Sequence, residues 1–253
     1  MPTKSNIYYT EYVGNKTNLV PVILLHGAGS NHMCWPLEIR RINGFHVMAL
    51  DLPGHGNSKG FGFHAIRNYS TAIYEFLAAT GYNRAFFIGH SMGAAIALQF
   101  ALDHPENTVG LGIISGAASF QLRNDFIELF RSQTTYPLAL KTLMPLIAPQ
   151  KGKQGWFKSY HQAASSTRNS LWYADWRACT LFDIRDRLVE IKTPTFVASG
   201  TKDKLVSFSS SSFLANQLIN AVIMPCYNNG HMLMLEEPTI ISQELNRFLT
   251  QNN

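Results

Sequence analysis

Ser91 stands midway between two glycines, in Gly89-His90-Ser91-Met92-Gly93. A serine hydroxyl is a poor nucleophile until a base takes its proton, and that base needs a carboxylate to orient it. The glycines indicate where the serine sits. At the apex of a sharp turn between a strand and a helix, a side chain two residues to either side would collide with neighbouring backbone, and glycine removes the Cβ. The flanking residues fit that layout. Ala85 to Ile88 reads as a buried strand, and Ala94 and Ala95 open a helix able to pack close behind the turn.

Nine histidines compete to be the base. His26, His55 and His90 lie inside tight turns, His46 in a strand, His32 and His64 in early loops, His104 at a helix end and His161 in a helical insert. His231 alone occupies a late loop after the last strand, in Asn228-Asn229-Gly230-His231-Met232, from which a base can reach over Ser91. For the carboxylate, Asp203 in Ser199-Gly200-Thr201-Lys202-Asp203 follows the strand Pro194 to Ser199. Asp51 belongs to a loop of turn residues, where aspartate caps backbone amides. Asp175, Asp183 and Asp186 lie in the insert or in the helix after it. The expected set is Ser91, Asp203 and His231.

These residues must be held by strands and helices, and the chain supplies both in alternation. Val20 to Leu25, Phe45 to Leu50, Ala85 to Ile88, Val109 to Ile114, Pro194 to Ser199 and Ala221 to Pro225 are short apolar runs without alternation, the pattern of strands covered on both faces. Residues 7–13 alternate as an edge strand does. Helices are expected over Cys34 to Ile42, Ala65 to Thr80 with Gly81 as its stop, the segment from the elbow to His104-Pro105, Ser207 to Leu218 and Glu237 to Leu249. From Ala117 to Leu181 the rhythm changes to helical pieces alone: Phe120 to Arg131, Tyr136 to Leu146, Trp156 to Ala164 and Asn169 to Ala178. Phe182 to Ile191 reads as a further helix. The fold class is α/β, a mostly parallel sheet with helices on both faces. A core of 1–116 and 182–253 carries a helical cap of 117–181. In such sheets the site lies at the carboxyl ends of the strands, and the insert leaves the sheet at that same edge, over the crevice.

The motifs LLHGAGS (24–30), DLPGHGNS (51–58), GHSMG (89–93), SGTKD (199–203) and GHMLMLEEP (230–238) together resemble those of the α/β-hydrolases, over nearly all of the chain except the insert. The resemblance implies that Ser91, Asp203 and His231 form a catalytic triad. It also implies an oxyanion hole made by the backbone N–H groups of Ala28 and Met92. Relatives that displace halide or open epoxides carry aspartate where this chain has Ser91. The stretch DLPGHGNSKGFG (51–62) is similar to a loop of the pimeloyl-acyl-carrier-protein methyl ester esterases, although His90 and Met92 stand where Trp and Leu typically surround the serine there.

Composition narrows the remaining choices. Hydrophobic residues make up 46% and charged residues 15% of 253, which describes a chain with a sizeable core. No apolar run reaches membrane-spanning length, and the first residues lack the basic-then-apolar order of a secretory signal, so a cytoplasmic enzyme is expected. Cys34, Cys179 and Cys226 are too far apart for a zinc site and are expected to be buried. G-x-G-x-x-G, H-E-x-x-H and G-x-x-x-x-G-K are absent, and no cofactor or metal is expected. The excess positive charge lies in the insert, with eight Lys/Arg against three acids between 117 and 181. That is a solvated surface or a face for an acidic acyl carrier protein, and thin support for nucleic acid. Met33, Trp35, Met92, Phe120, Leu143, Met144, Trp172, Met232 and Met234 are the apolar candidates to line a substrate pocket. The resulting expectation is a serine carboxylesterase for short- to medium-chain esters. A pimeloyl-acyl-carrier-protein methyl ester esterase is the alternative, and a ligand receptor with little turnover is the alternative of another class. Acyl transfer to an acceptor other than water shares the same residues.

Overall fold

The computed structural model describes residues 3–15, 20–147, 160 and 164–253. Eight strands form one sheet in the order β1-β2-β4-β3-β5-β6-β7-β8. They are β1 (Thr3–Lys4), β2 (Ile7–Tyr12), β3 (Val22–Leu25), β4 (Val47–Leu50), β5 (Ala85–His90), β6 (Thr108–Ile114), β7 (Thr195–Gly200) and β8 (Ala221–Cys226). β4, β3, β5, β6, β7 and β8 run parallel, while β2 pairs antiparallel with β4. Every residue of β3, β4, β5 and β7 is buried, as the unbroken apolar runs require of strands sandwiched between helices. β8 is the outer strand and is only half-buried, which is where Pro225 is tolerated.

The helices are α1 (Leu37–Arg40), α2 (Ile66–Thr80), α3 (Met92–Asp103), α4 (Asn124–Glu128), α5 (Tyr136–Ile147), α6 (Asn169–Thr180), α7 (Phe208–Gln217), α8 (Leu233–Glu236) and α9 (Pro238–Gln251). α2 ends where expected, because Gly81 takes a left-handed conformation at φ +84° and its N–H closes on the Ala78 carbonyl. α3 is buried from Met92 to Ala101, and its small first residues bring it against the strands.

Several boundaries differ from the sequence pattern, each for a local reason. The helix expected over Cys34 to Ile42 is broken by Pro36 into a 3₁₀ turn at His32–Cys34 and the short α1. Residues 7–13 are not the sheet edge, because the two residues of β1 pair outside β2. The helix expected over Phe120 to Arg131 shrinks to α4. In place of a helix over Phe182 to Ile191, an isolated bridge joins Asp183 to Ser119, and a 3₁₀ turn follows at Arg185–Glu190. The helix expected over Trp156 to Ala164 lies outside the described residues except at Tyr160 and Ala164. α8 had no counterpart in the pattern, since four residues are too few to show a period.

The order of the strands fixes the site. After β3 the chain adds β4 on one side and then crosses back to add β5 on the other. β3 and β5 are therefore neighbours at the point where the winding reverses, with Leu25 beside Gly89. The loops leaving these two strands begin at His26 and at Ser91.

Two glycines give contrasting predictions. A Cβ on Gly93 would overlap the backbone carbonyls of Leu25 and His26, whereas one on Gly81 meets nothing within 4 Å and faces only its left-handed backbone. Gly81→Ala is expected to cost about 1 kcal/mol. Gly93→Ala is expected to cost more than about 3 kcal/mol, because strand and helix must move apart. Urea unfolding of both variants checks the order.

Candidate active site

β5 delivers Ser91 into a turn that no ordinary strand or helix would accept. Its backbone lies at φ 53° and ψ −115°, and its N–H donates to the Ile114 carbonyl at 3.0 Å. A non-glycine residue held there stores strain of about 1–3 kcal/mol, which the surrounding packing must overcome. The packing is tight, since a Cβ on Gly89 would overlap the backbone of Gly93 and Ala94. Ser91 itself is buried at the mouth of α3.

His231 and Asp203 lie in contact. His231 Nδ1 lies 2.8 Å from Asp203 Oδ2. Because the carboxylate accepts, Nδ1 carries a proton, and in the neutral ring that leaves the lone pair on Nε2. The other oxygen, Asp203 Oδ1, accepts from the N–H groups of Leu205 and Val206 at 2.8 and 2.9 Å, so the carboxylate is fixed by the loop that carries it. Ser91, His231, Ala28 and Gly27 line one cleft. Met92 follows Ser91 as the first residue of α3, where an N–H has no partner within its own helix. Among the described residues, none accepts a hydrogen bond from the N–H of Ala28 or of Met92.

The loops around this cleft are held by buried imidazoles. Leu52 N–H donates to His26 Nε2 at 3.0 Å, so the proton of His26 sits on Nδ1, 2.8 Å from the Gly27 carbonyl. Burial, and the nearby His55, push the His26 pKa down to about 3 and keep the ring neutral. His90 is likewise pushed well below the usual histidine range by burial and by the neighbouring His231. Its Nε2–H donates to the His231 carbonyl at 3.0 Å, tying the elbow to the loop of the predicted base. Asp51 accepts from His32 Nδ1 and from the N–H groups of His32 and Asn57. Burial opposes its charge, yet these bonds outweigh burial and hold its carboxyl below the usual range. Asp51 thus caps a loop, as its turn-rich neighbourhood suggested.

Two contributors were not singled out in the sequence. Glu236 on α8 is buried and accepts from the Gly230 N–H at 2.9 Å and from Asn229, pinning the residues just before His231. Burial raises its pKa, with the Gly230 bond working against that. The doubled glutamate of LEEP, five residues past the histidine, was the available signal. Asp175, set aside as a residue of the insert, lies beneath the Ala28 loop.

Residues of the segment 117–181 supply much of the apolar wall of the cleft. Of the apolar candidates, Leu143, Trp172 and Met232 line it, joined by Ile147, Tyr160, Trp176 and Leu205. Trp35 and Met234 are core residues, Met33 is 60% exposed, and Phe120 lines a separate hollow beside Lys204. The walls close down until the free space beside Ser91 is about that of one water molecule. The three cysteines are buried, and burial lifts Cys34 to about 12 and Cys226 to about 11, which leaves them as thiols at neutral pH. Among the described residues no group of His, Cys, Asp and Glu could hold a metal ion, and no helix is long and apolar enough to cross a membrane.

Known proteins resemble the chain over nearly its whole length. The chain is 26% identical to an AB hydrolase superfamily protein, YisY, of Bacillus subtilis over 97% of both chains. It is 26% identical to a pimeloyl-[acyl-carrier protein] methyl ester esterase of Pectobacterium carotovorum over 95% of this chain and 97% of that one. An esterase from Exiguobacterium antarcticum, 21% identical, superposes with a TM-score of 0.86 over 96% of this chain and 95% of its own, a likeness of fold. Residues 22–244, from the first buried parallel strand through the loop of His231 and into α9, match the model of one family, and the chain belongs to the alpha/beta hydrolase family.

Proposed function

We propose that the protein is a serine carboxylesterase acting on short- to medium-chain esters through an acyl-serine intermediate. The observation that carries this reading is the pairing of His231 Nδ1 with Asp203 at 2.8 Å, in a cleft shared with a strained Ser91. In this reading His231 Nε2 takes the Ser91 proton as Ser91 attacks the ester carbonyl. The N–H groups of Ala28 and Met92 hold the developing oxyanion, and the N-terminal end of α3 adds favourable potential there. Asp203 keeps the tautomer and stabilises the imidazolium. His231 then protonates the leaving alcohol and activates water against the acyl-enzyme. The insert 117–181 serves as the cap, its Leu143, Ile147, Trp172 and Trp176 excluding water. A cytoplasmic location is part of the same proposal.

A second reading has one specific observation behind it, the pimeloyl-carrier esterase relative at 26% identity together with the loop at 51–62. On that reading the substrate is a methyl ester borne by an acidic carrier protein. Two of the four described arginines of the insert weaken it, because Arg123 pairs with Asp125 and Arg131 with Glu128. Non-turnover ligand sensing stands third and rests on the fold alone.

Steady-state hydrolysis of p-nitrophenyl esters from acetate to laurate tests the first reading. Turnover should peak at short or medium chains, and Ser91→Ala should lower it by a factor on the order of 10⁴ or more. Negligible turnover by folded wild-type protein would overturn the esterase reading and favour a dedicated substrate or a receptor.

Asp203→Asn is expected to reduce kcat by roughly 10³–10⁴, since an amide cannot fix the Nδ1–H tautomer. Its Oδ1 still accepts from Leu205 and Val206, so thermal unfolding should move little; full activity would assign the acid to another carboxylate.

If the carrier reading holds, hydrolysis of a carrier-linked methyl ester should fall steeply between about 50 and 500 mM salt while a p-nitrophenyl ester is unaffected. Parallel salt profiles for the two substrates would remove it.

A further inference from the structure

A buried charge cluster beneath the Ala28 loop takes no part in the chemistry above. Asp175, on α6 of the insert, has no exposed surface, an environment a carboxylate occupies only when it is well paired. Three donors converge on it. Gly29 N–H and His55 Nε2 each lie 2.8 Å from Oδ2, and the Tyr69 hydroxyl lies 2.6 Å from Oδ1. His55 Nδ1 faces the Pro53 carbonyl at 3.1 Å, so both nitrogens of that ring face acceptors and both carry protons. Burial works against this charge, but the Coulombic attraction of Asp175 and its hydrogen bond prevail, and the His55 pKa is raised. Asp175 and His55 are therefore paired in the interior, with neither side chain exposed. Facing it are His26, which is neutral, the hydroxyl of Tyr69 and, across the loop, Asp51.

The geometric consequence falls on Gly29, the residue after Ala28. Asp175 takes its N–H, and the Thr167 hydroxyl donates to its carbonyl at 3.0 Å. The Trp172 indole fills the place a Cβ would occupy, against a backbone held at φ +61°. All three residues belong to the insert, although Ala28 belongs to the core. A donor aimed at an oxyanion must be placed to within a few tenths of an ångström, and here the peptide next to that donor is clamped from the insert.

We propose that Asp175 is a positioning residue that sets the Ala28 N–H through Gly29, so that α6 is part of the oxyanion machinery and not only a cover above it. This rests on the reading of Ser91 and Ala28 given under Proposed function. The structure gives it a direct consequence: loosening Gly29 weakens the transition state more than the ground state.

The test measures Asp175→Asn and Thr167→Val with the best p-nitrophenyl ester and two inhibitors of matching chain length. One is a trifluoromethyl ketone, whose Ser91 adduct carries an oxyanion; the other is the corresponding secondary alcohol, which does not. Asp175→Asn is expected to lower kcat by about 10- to 100-fold with KM changed less than about threefold. The ketone should weaken in proportion to the loss in kcat/KM while the alcohol binds as before. Thr167→Val should show the same pattern at about two- to fivefold. A folded Asp175→Asn with kcat within about twofold of wild type would overturn the proposal, as would equal weakening of ketone and alcohol. If Asp175→Asn does not fold, Thr167→Val decides by the same comparison. Equal turnover by wild type and Ser91→Ala overturns the esterase reading, and this proposal with it, before any insert variant is needed.

Discussion

The closeness of α3 to the strands beneath it governs the rest of the molecule. Gly93 packs against the carbonyls of Leu25 and His26 with no room for a Cβ, and Gly89 does the same against the first turn of the helix. That contact holds Ser91 in its strained turn, because relaxing the serine would push a buried helix off a buried sheet. It also places the start of α3 beside the exit of β3, so the N–H of Met92 and the N–H of Ala28 arise from neighbouring pieces of chain. Strand order supplies the neighbourhood and the glycines supply the distance.

Such packing leaves polar groups in a dry interior, and each must find a partner. Much of the loop framework around the cleft consists of these partners. His26 accepts from Leu52, His90 donates to the His231 carbonyl, Asp51 collects His32 and Asn57, and Glu236 takes the Gly230 amide. Two of the histidines are neutral because burial makes their charge too costly, while at His55 the adjacent Asp175 outweighs burial and raises the pKa. Histidines of one residue type thus serve as neutral braces, as the partner of a buried carboxylate and as a predicted base, and the difference lies in what each nitrogen faces.

The serine elbow, the parallel strands and the Asp203 and His231 loops were legible in the sequence because their signals are local. Glycines flank the serine, apolar runs lack alternation, and the late loops follow their strands directly. What was illegible depends on contacts far along the chain. Asp175 is separated from Gly29 by 146 residues, and nothing in Tyr173-Ala174-Asp175-Trp176 says that the aspartate turns inward beneath another loop. Trp176 and Leu205 reach the cleft only because α6 and the Asp203 loop converge on it, whereas Trp35 and Met234, equally apolar, fall in the core. Composition nominates apolar residues; only packing separates pocket from interior. The break within Cys34 to Ile42 is of another kind, since its cause, Pro36, is local and stands in the sequence itself.

The site therefore has two faces of opposite character. One is polar: the Ala28 and Met92 amides, the start of α3, and the pair formed by Asp175 and His55 behind Gly29. The other is apolar: Leu143, Ile147, Trp172 and Trp176, which leave little space for water. In such an enclosure each hydrogen bond to a developing oxyanion is stronger than it would be in water, because no solvent competes and the donors do not have to reorient. The same enclosure carries little information about which chain it accepts, since apolar walls discriminate one methylene from the next by only about 1–3 kcal/mol. The polar groups therefore carry the proposed reaction, and the apolar side chains from residues 143–176 carry the shape of the substrate it would take.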